Sequence, residues 1–153
     1  MIDVWVTDTV TVTPFGDDLN SLWRAIMAGK SAIRPLRRFA VEGYQADIAS
    51  WIEDLAAVDN RSMCHLLTER ILRQLGSVPP NAFLITATTK SGIDNLERAR
   101  RGVPADPADV LPGGLFEDVR RQLKLTGGCF NICAACASST IALAPVSYTH
   151  LTL

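Results

Sequence analysis

The chain alternates short apolar runs with segments of helical periodicity, and this alternation is the feature that most limits its fold. The run AFLITATT (residues 82–89) is typical of a buried strand, and CFNICAACA (residues 129–137) has the same apolar character. Each run is followed by a segment whose pattern predicts a helix. Strands that alternate with helices predict an α/β layered fold with a largely parallel sheet.

The helical segments are marked by apolar residues that recur on one face. The first follows Asp18 and ends before Gly29, and we expect two of its residues, Trp23 and Met27, to pack in the core. The second, at residues 61–75, carries Cys64 and His65, which we interpret as packing or surface residues. The apolar positions that define the two faces are Leu19, Leu22, Trp23, Ile26 and Met27, and Met63, Leu66, Leu67, Ile71 and Leu75.

Two further helices are predicted in the second half of the chain. Ser91 and Asp94 stand at capping-box spacing before a helix that ends near Gly102. A Pro/Gly loop is expected at residues 103–114. A helical face then runs through Leu115, Phe116, Val119 and Leu123.

The N-terminal third is less regular. Residues 2–13 are rich in Val, Ile and Thr and predict one or two short strands, which Pro14 and Gly16 end. Residues 31–60 predict a loop-rich connection with one short helix near Ile48 to Leu55.

The composition and the sequence patterns argue against nucleic-acid binding, membrane insertion and secretion. Hydrophobic residues make up 48% of the chain, charged residues 20%, and the net charge is -1, so no global field favours nucleic acid or membrane. The sequence shows neither a secretory signal nor an apolar run of the roughly 20 residues that span a bilayer. Four cysteines without an export signal predict free thiols in the cytosol.

Basic residues form three clusters, and no aromatic residues interleave with them as base stacking would require. The clusters are solvated faces or a dock for an acidic partner. Their members are Lys30, Arg34, Arg37 and Arg38; Arg98, Arg100 and Arg101; and Arg120, Arg121 and Lys124.

Three closely spaced cysteines, Cys129, Cys133 and Cys136, allow three interpretations. Thiolates at this spacing can hold an iron–sulfur cluster on a loop, but on a strand Cys136 would face away from the other two. Cys133 and Cys136 also form a C-x-x-C pair, although redox pairs rarely enclose two alanines and zinc requires four ligands.

The third interpretation is a nucleophile elbow at Cys136, where an apolar strand turns into a helix of small residues. Such residues permit a tight turn, and the N–H groups at the start of the helix can stabilise an oxyanion. The other two cysteines would then pack as small hydrophobes.

Three segments carry a resemblance to a known family, the β-ketoacyl-acyl-carrier-protein synthases, which have the thiolase fold. ACASST around Cys136 resembles the family's active-site signature, and residues 6–33 resemble its opening strand, turn and helix. FLITATTKSGIDNLE (residues 83–97) resembles the strand and turn before that signature. The resemblance covers about residues 3–144, and Asp8 and Cys133 depart from the family's pattern.

The resemblance implies a decarboxylating Claisen condensation without a bound cofactor or metal. Cys136 would hold an acyl group as a thioester, its backbone N–H would be an oxyanion donor, and malonyl-acyl carrier protein would be the second substrate. The family implies a homodimer, and two catalytic histidines that lie beyond this chain's motif. The rivals are a thiolase-like enzyme that uses coenzyme A and a metal or redox module of Cys129, Cys133 and Cys136.

The segment after Ala144, PVSYTHLTL, does not continue the family's pattern. We interpret residues 1–144 as part of a ketosynthase N-terminal domain and residues 145–153 as a linker-derived tail, with Pro145 disrupting the last helix. His150 in this tail and His65 are therefore not expected to be catalytic. By this interpretation the chain alone is a fragment that does not catalyse condensation.

Overall fold

The computed structural model describes residues 4–56, 58 and 60–149. The chain divides into two compact units. The hairpin unit comprises Thr9–Ala56, and the main unit comprises Met1–Asp8 and Ala57–Leu153.

The hairpin unit contains one helix and one antiparallel hairpin. Helix α1 spans Leu19–Met27, as predicted. At its start the Asp18 carboxylate accepts a hydrogen bond of 2.8 Å from the Ser21 N–H, and at its end Gly29 has a φ of +62°. Strands β1 (Ile33–Pro35) and β2 (Ile48–Ser50) pair with each other.

Two expectations for the hairpin unit are wrong. No helix forms near Ile48 to Leu55, because Ile48 begins strand β2 and pairs with Pro35 of β1. Trp23 and Met27 do not pack in a core, since they are 60% and 67% exposed, and on α1 only Ala25 is buried. The amphipathic pattern predicted the position of the helix correctly. A helix face becomes part of a core, however, only where another element covers it.

The strand prediction for residues 2–13 is also wrong over residues 4–12, which form no strand. Residues 2 and 3 lie outside the described part of the chain. A strand exists only with a hydrogen-bonded neighbour, and β propensity alone does not supply one. Trp5 and Val6 are accordingly 79% and 84% exposed.

The main unit is built around a short parallel sheet of two strands. Strand β3 pairs in parallel with β4, with Leu84 opposite Cys129 and Ala87 opposite Ile132. Parallel strands need a crossover, and here it contains two helices. In chain order the elements are α2 (Met63–Leu72), β3 (Leu84–Ala87), α3 (Ile93–Arg100), α4 (Pro112–Gln122), β4 (Cys129–Ile132) and α5 (Ser138–Thr149).

The core of the main unit lies along α4. Leu115 and Val119 on the predicted face of this helix are buried, as is Leu125 just after it. Helix α4 begins at Pro112 and a 3₁₀ turn spans Pro107–Val110, so the loop predicted for residues 103–114 is partly helical. Proline suits the first helical position because that residue needs no backbone donor.

The segment before β4 passes very close to the start of β3. A Cβ atom on Gly127 would lie 2.2 Å from the Ala82 carbonyl oxygen, and one on Gly128 would lie 2.4 Å from the Phe83 ring. Only glycine fits there, and the Phe83 and Phe130 rings then meet edge to face at 5.5 Å.

Helix α3 begins differently from the prediction and ends as predicted. Its N-cap is Gly92 and no capping box forms, because Ser91 and Asp94 bond elsewhere. The Asp94 carboxylate accepts the Met63 N–H at 2.9 Å, and the Ser91 hydroxyl donates to the Asp109 carbonyl at 3.2 Å. Gly102, with a φ of +72°, ends the helix.

Helix α5 continues through Pro145 to Thr149, so the expected break at this proline is wrong. Proline removes a single N–H donor, and a helix passes through it at the cost of the hydrogen bond that Ile141 would otherwise accept. His150 and the rest of the predicted tail lie outside the described residues. Within the described part of the chain, no helix has the length and apolar character needed to cross a bilayer.

Candidate active site

The predicted elbow is present between β4 and α5. The strand ends at Ile132, a 3₁₀ turn spans Ala135–Ala137, and α5 begins at Ser138. Cys136 lies in this turn with its side chain exposed as a free thiol. The sequence prediction therefore placed Cys136 correctly at a strand-to-helix junction.

The turn contains a backbone conformation that is unfavourable for an L-amino acid. Ala135 has a φ of +49°, in the left-handed region, which costs a residue with a Cβ about 1–2 kcal/mol. A small side chain limits the accompanying steric conflict. Such a conformation persists only where the surrounding structure determines it.

Two side-chain hydroxyls hold this turn. Ser138 Oγ accepts the Ala134 N–H and donates to the Ala135 carbonyl oxygen, both at 2.8 Å. Thr89 Oγ1, from the loop after β3, donates to the same carbonyl at 3.2 Å. The elbow is thus fixed both from within and from the neighbouring strand's loop.

The backbone N–H of Cys136 donates no hydrogen bond within the described part of the chain. The next N–H, that of Ala137, bonds the Ala134 carbonyl at 3.0 Å. A donor that lies beside an exposed thiol without a protein acceptor can bind the oxygen of an incoming carbonyl.

The other three cysteines have different surroundings. Cys129 is half-buried in β4, and Cys133 is exposed just after the strand, where its Sγ lies 3.6 Å from the Thr89 carbonyl oxygen. Cys64 is half-buried on α2. Burial, followed by the negative charges of Asp94 and Asp109, raises the pKa of the Cys64 thiol. Among the described residues, no group of three or more His, Cys, Asp or Glu is placed to hold a metal ion.

A buried polar cluster of Ser62, His65, Asn95 and Asp109 lies elsewhere in the main unit. Ser62 Oγ is 2.7 Å from His65 Nδ1, and His65 Nε2 is 3.4 Å from Asp109 Oδ1. Asp109 also accepts the Ser62 N–H at 2.9 Å. His65 is only 1% exposed, so it packs in the interior, which is one of the two roles predicted for it.

This Ser–His–Asp arrangement is structural, because no substrate can reach it. Ser62 is fully buried, and its hydroxyl caps α2 by accepting the His65 N–H at 3.3 Å. Asn95 adds hydrogen bonds to the carbonyls of Asn60 and Asp106, at 2.7 and 3.3 Å. The cluster joins α2, α3 and the turn before α4.

An ion-pair network lies beside the cluster. Asp118 is held by Arg61 at 2.8 Å, by Arg121 at 2.5 Å and by the Gln122 amide at 2.9 Å. Burial alone would raise the pKa of Asp118, but Arg121, Arg61 and Gln122 outweigh burial and hold the pKa of this carboxyl below its ordinary value. Arg61 also pairs with Glu69 at 2.9 Å.

Each predicted basic cluster contributes to contacts within its own unit. Arg34 pairs with Glu53 at 3.3 Å, and its guanidinium stacks 4.4 Å from the centre of the Trp51 ring. Arg98 donates to the Arg61 carbonyl, and Arg120 pairs with the exposed Glu117. These contacts explain part of the clustering without an external partner.

Comparison with known proteins supports the resemblance seen in the sequence. No protein-family model matches the chain. Over 51 residues, 33% of the chain and 12% of the relative, it is 33% identical to "3-oxoacyl-[acyl-carrier-protein] synthase 2" of Coxiella burnetii (strain RSA 493 / Nine Mile phase I). The matched segment is thus a small part of that enzyme.

A solved structure described as "The ishigamide ketosynthase/chain length factor" is similar in fold, with a TM-score of 0.65 and 18% sequence identity. The similarity covers 92% of this chain and 42% of that one. At this identity the likeness concerns the fold, and it confirms the thiolase-like α/β prediction. The sequence match and the shared fold together support the identification of the chain as a ketosynthase segment.

Proposed function

We propose that the chain is part of a β-ketoacyl-acyl-carrier-protein synthase and that Cys136 is its nucleophile. The observation that carries the proposal is the exposed Cys136 thiol at the junction of β4 and α5, beside its own unbonded N–H. The curated relative and the fold support the same chemistry.

The first reaction is acyl transfer to Cys136. Its thiolate attacks the carbonyl carbon of an acyl thioester, forming a new C–S bond and a tetrahedral oxyanion. The Cys136 N–H donates to this oxygen as negative charge develops. Collapse breaks the bond to the donor's sulfur, and the departing thiolate takes up the proton that the Cys136 thiol released.

The second reaction is the condensation. It requires two histidines that the resemblance places outside the segment around Cys136. Malonyl-acyl carrier protein loses carbon dioxide, and the resulting carbanion attacks the acyl carbon on Cys136. The C–C bond forms, the C–S bond breaks, and the Cys136 thiolate is regenerated. Two histidines of the family serve this step. We therefore propose that Cys136 within residues 1–144 becomes acylated but that this segment does not complete the condensation.

The same proposal extends to the partners. The basic clusters could bind an acidic partner, and the carrier protein is the partner that the resemblance implies, so their exposed arginines are candidates to bind it. The curated relative is named for an acyl-carrier-protein substrate, which supports this donor over coenzyme A. We propose a homodimeric, cytosolic parent enzyme, with residues 145–153 outside its ketosynthase fold.

Acylation followed by a malonyl thioester tests this function. The chain is incubated with hexanoyl-acyl carrier protein or hexanoyl-coenzyme A, and its mass is measured. We expect one acyl group, faster loading from the carrier protein, and no release of carbon dioxide when malonyl-carrier protein is added. Faster loading from coenzyme A would favour the thiolase-like rival, and carbon dioxide release would contradict the proposed limit on this chain.

A further inference from the structure

The Ala135–Cys136 peptide is held on its carbonyl side. Thr89 Oγ1 and Ser138 Oγ both donate to the Ala135 oxygen, at 3.2 and 2.8 Å. The N–H on the other side of this peptide belongs to Cys136 and donates to nothing within the described part of the chain. The carbonyl oxygen of this peptide is therefore held by two side-chain hydroxyls, whereas its N–H is unused.

Because the peptide bond is planar, holding the carbonyl oxygen also determines where the N–H points. In a trans peptide the C=O and N–H bonds lie in one plane and point in opposite directions. Fixing the Ala135 oxygen therefore fixes the direction of the Cys136 N–H. The Ala135 oxygen also accepts the Ser138 backbone N–H, and the two hydroxyls restrict the motion of the left-handed Ala135 and of the peptide plane that this single backbone bond would still allow.

We propose that Thr89 and Ser138 are positioning residues that aim the Cys136 N–H at the oxyanion formed during acyl transfer. The inference rests on the proposed function of Cys136. It adds a role to two side chains that form no hydrogen bond with the Cys136 thiol within the described residues.

The two residues act from different places. Ser138 is 5% exposed and spans the turn, since it also accepts the Ala134 N–H at 2.8 Å. Thr89 is exposed on the loop after β3 and joins the elbow to the neighbouring strand. Loss of either hydroxyl leaves the Ala135 oxygen with one side-chain donor instead of two.

Two probes of Cys136 separate aiming from simple support of the fold. Acylation by hexanoyl-acyl carrier protein passes through a tetrahedral oxyanion, whereas alkylation by iodoacetamide displaces iodide from carbon and forms no oxyanion. A mis-aimed N–H slows only the first reaction. A distorted or unfolded elbow changes both reactions, because both need the same thiol.

The rates are measured in the full chain carrying Cys133→Ala, because Cys133 is also an exposed thiol. Cys136→Ala in this background gives the blank for the remaining cysteines. Ser138→Ala and Thr89→Val remove one hydroxyl each, and Thr89→Ser retains it. Ser139→Ala removes the exposed neighbouring hydroxyl as a matched control.

We expect Ser138→Ala and Thr89→Val to lower the acylation rate at least about tenfold and to leave alkylation within about twofold. Thr89→Ser and Ser139→Ala should behave like the parent. Equal losses in both reactions, or no loss in either, would overturn the inference. A parent that is alkylated at Cys136 but never acylated would overturn the proposed function and this inference with it.

Discussion

Gly92 lies where any side chain would collide with the buried polar cluster. A Cβ atom at this position would be 2.3 Å from the Asp109 carbonyl oxygen and 2.8 Å from Ser62 Oγ. The first of these atoms is backbone and the second belongs to a fully buried residue, so neither can move aside cheaply. The absence of a side chain is thus what lets α2, α3 and the 3₁₀ turn meet.

We therefore expect Gly92→Ala to lower the free energy of unfolding by about 2–3 kcal/mol. The matched control is Gly113→Ala in α4, where the nearest atom to a new Cβ is 3.8 Å away. That change should be neutral or stabilise by up to about 1 kcal/mol, because alanine is the better helix former. Urea unfolding of both variants checks this, and equal effects would contradict the steric account.

Asp118 supplies a pH-dependent part of the stability. Its pKa is lowered in the folded state, because Arg121, Arg61 and Gln122 together outweigh burial. A carboxyl with a depressed folded pKa contributes stability above its unfolded pKa, and this contribution disappears as the pH falls through the folded value. The ordinary value for Asp is 3.8, so the loss lies below that pH.

Asp118→Asn should lower the free energy of unfolding by about 1–2 kcal/mol at pH 7. The difference from the wild type should remain constant down to about pH 5 and shrink below the ordinary Asp pKa. Glu117→Gln, which removes an exposed partner of Arg120, is the control and should have little effect at any pH. A difference that does not change with pH would count against the ionised carboxylate as the cause.

At neutral pH the Cys64 thiol should react more slowly than the Cys136 thiol. Burial and the nearby carboxylates of Asp94 and Asp109 raise its pKa, so less thiolate is present. With limiting iodoacetamide at pH 7, we expect Cys136 to be labelled first, and Cys64 labelling to increase more steeply as the pH rises. Trypsin places Cys64 on the 62–70 peptide, so mass spectrometry separates the two thiols. Equal rates at pH 7 would contradict this.

At the scale of elements, local pattern located α1, α2 and α4 and the two buried strands β3 and β4, but it failed for residues 4–12 and for β2. The apolar spacing of α1, α2 and α4 located all three, because a helix closes its hydrogen bonds within its own segment. Residues 4–12 carry strand-forming side chains but have no paired neighbour, and β2 pairs where a helix was expected. Strand pairing depends on distant residues, which propensity does not encode.

Helix α1 shows a consequence of this difference. Its predicted core face exposes Trp23, Ile26 and Met27 within the described part of the chain. We expect these side chains to promote self-association of the chain, because exposed apolar area is removed from water when copies meet.

The double variant Trp23→Gln/Met27→Gln should therefore scatter less light than the wild type at the same concentration, with its helical circular dichroism retained. Arg24→Gln, on the same helix, is the control and should not lower scattering. Unchanged scattering by the double variant would show that α1 does not drive association.

At the scale of the whole molecule, the candidate site was predictable and the buried polar cluster was not. Cys136 is marked by a local pattern, an apolar strand followed at once by small residues and a helix. His65 gives no such signal, because Asp109 is 47 residues from Ser62 and only folding brings them together. Ser62 and His65, three residues apart, carried the one local hint, a capping position at the start of α2.

The most direct test of the account is to locate the acyl group after incubation with hexanoyl-acyl carrier protein. Fragmentation mass spectrometry should place one hexanoyl thioester on Cys136 in the wild type and in Cys133→Ala, and none in Cys136→Ala. This result is expected because Cys136 combines an exposed thiol with an unbonded N–H at the elbow. An acyl group on Cys133 instead, or equal acylation of the Cys136→Ala variant, would contradict Cys136 as the nucleophile.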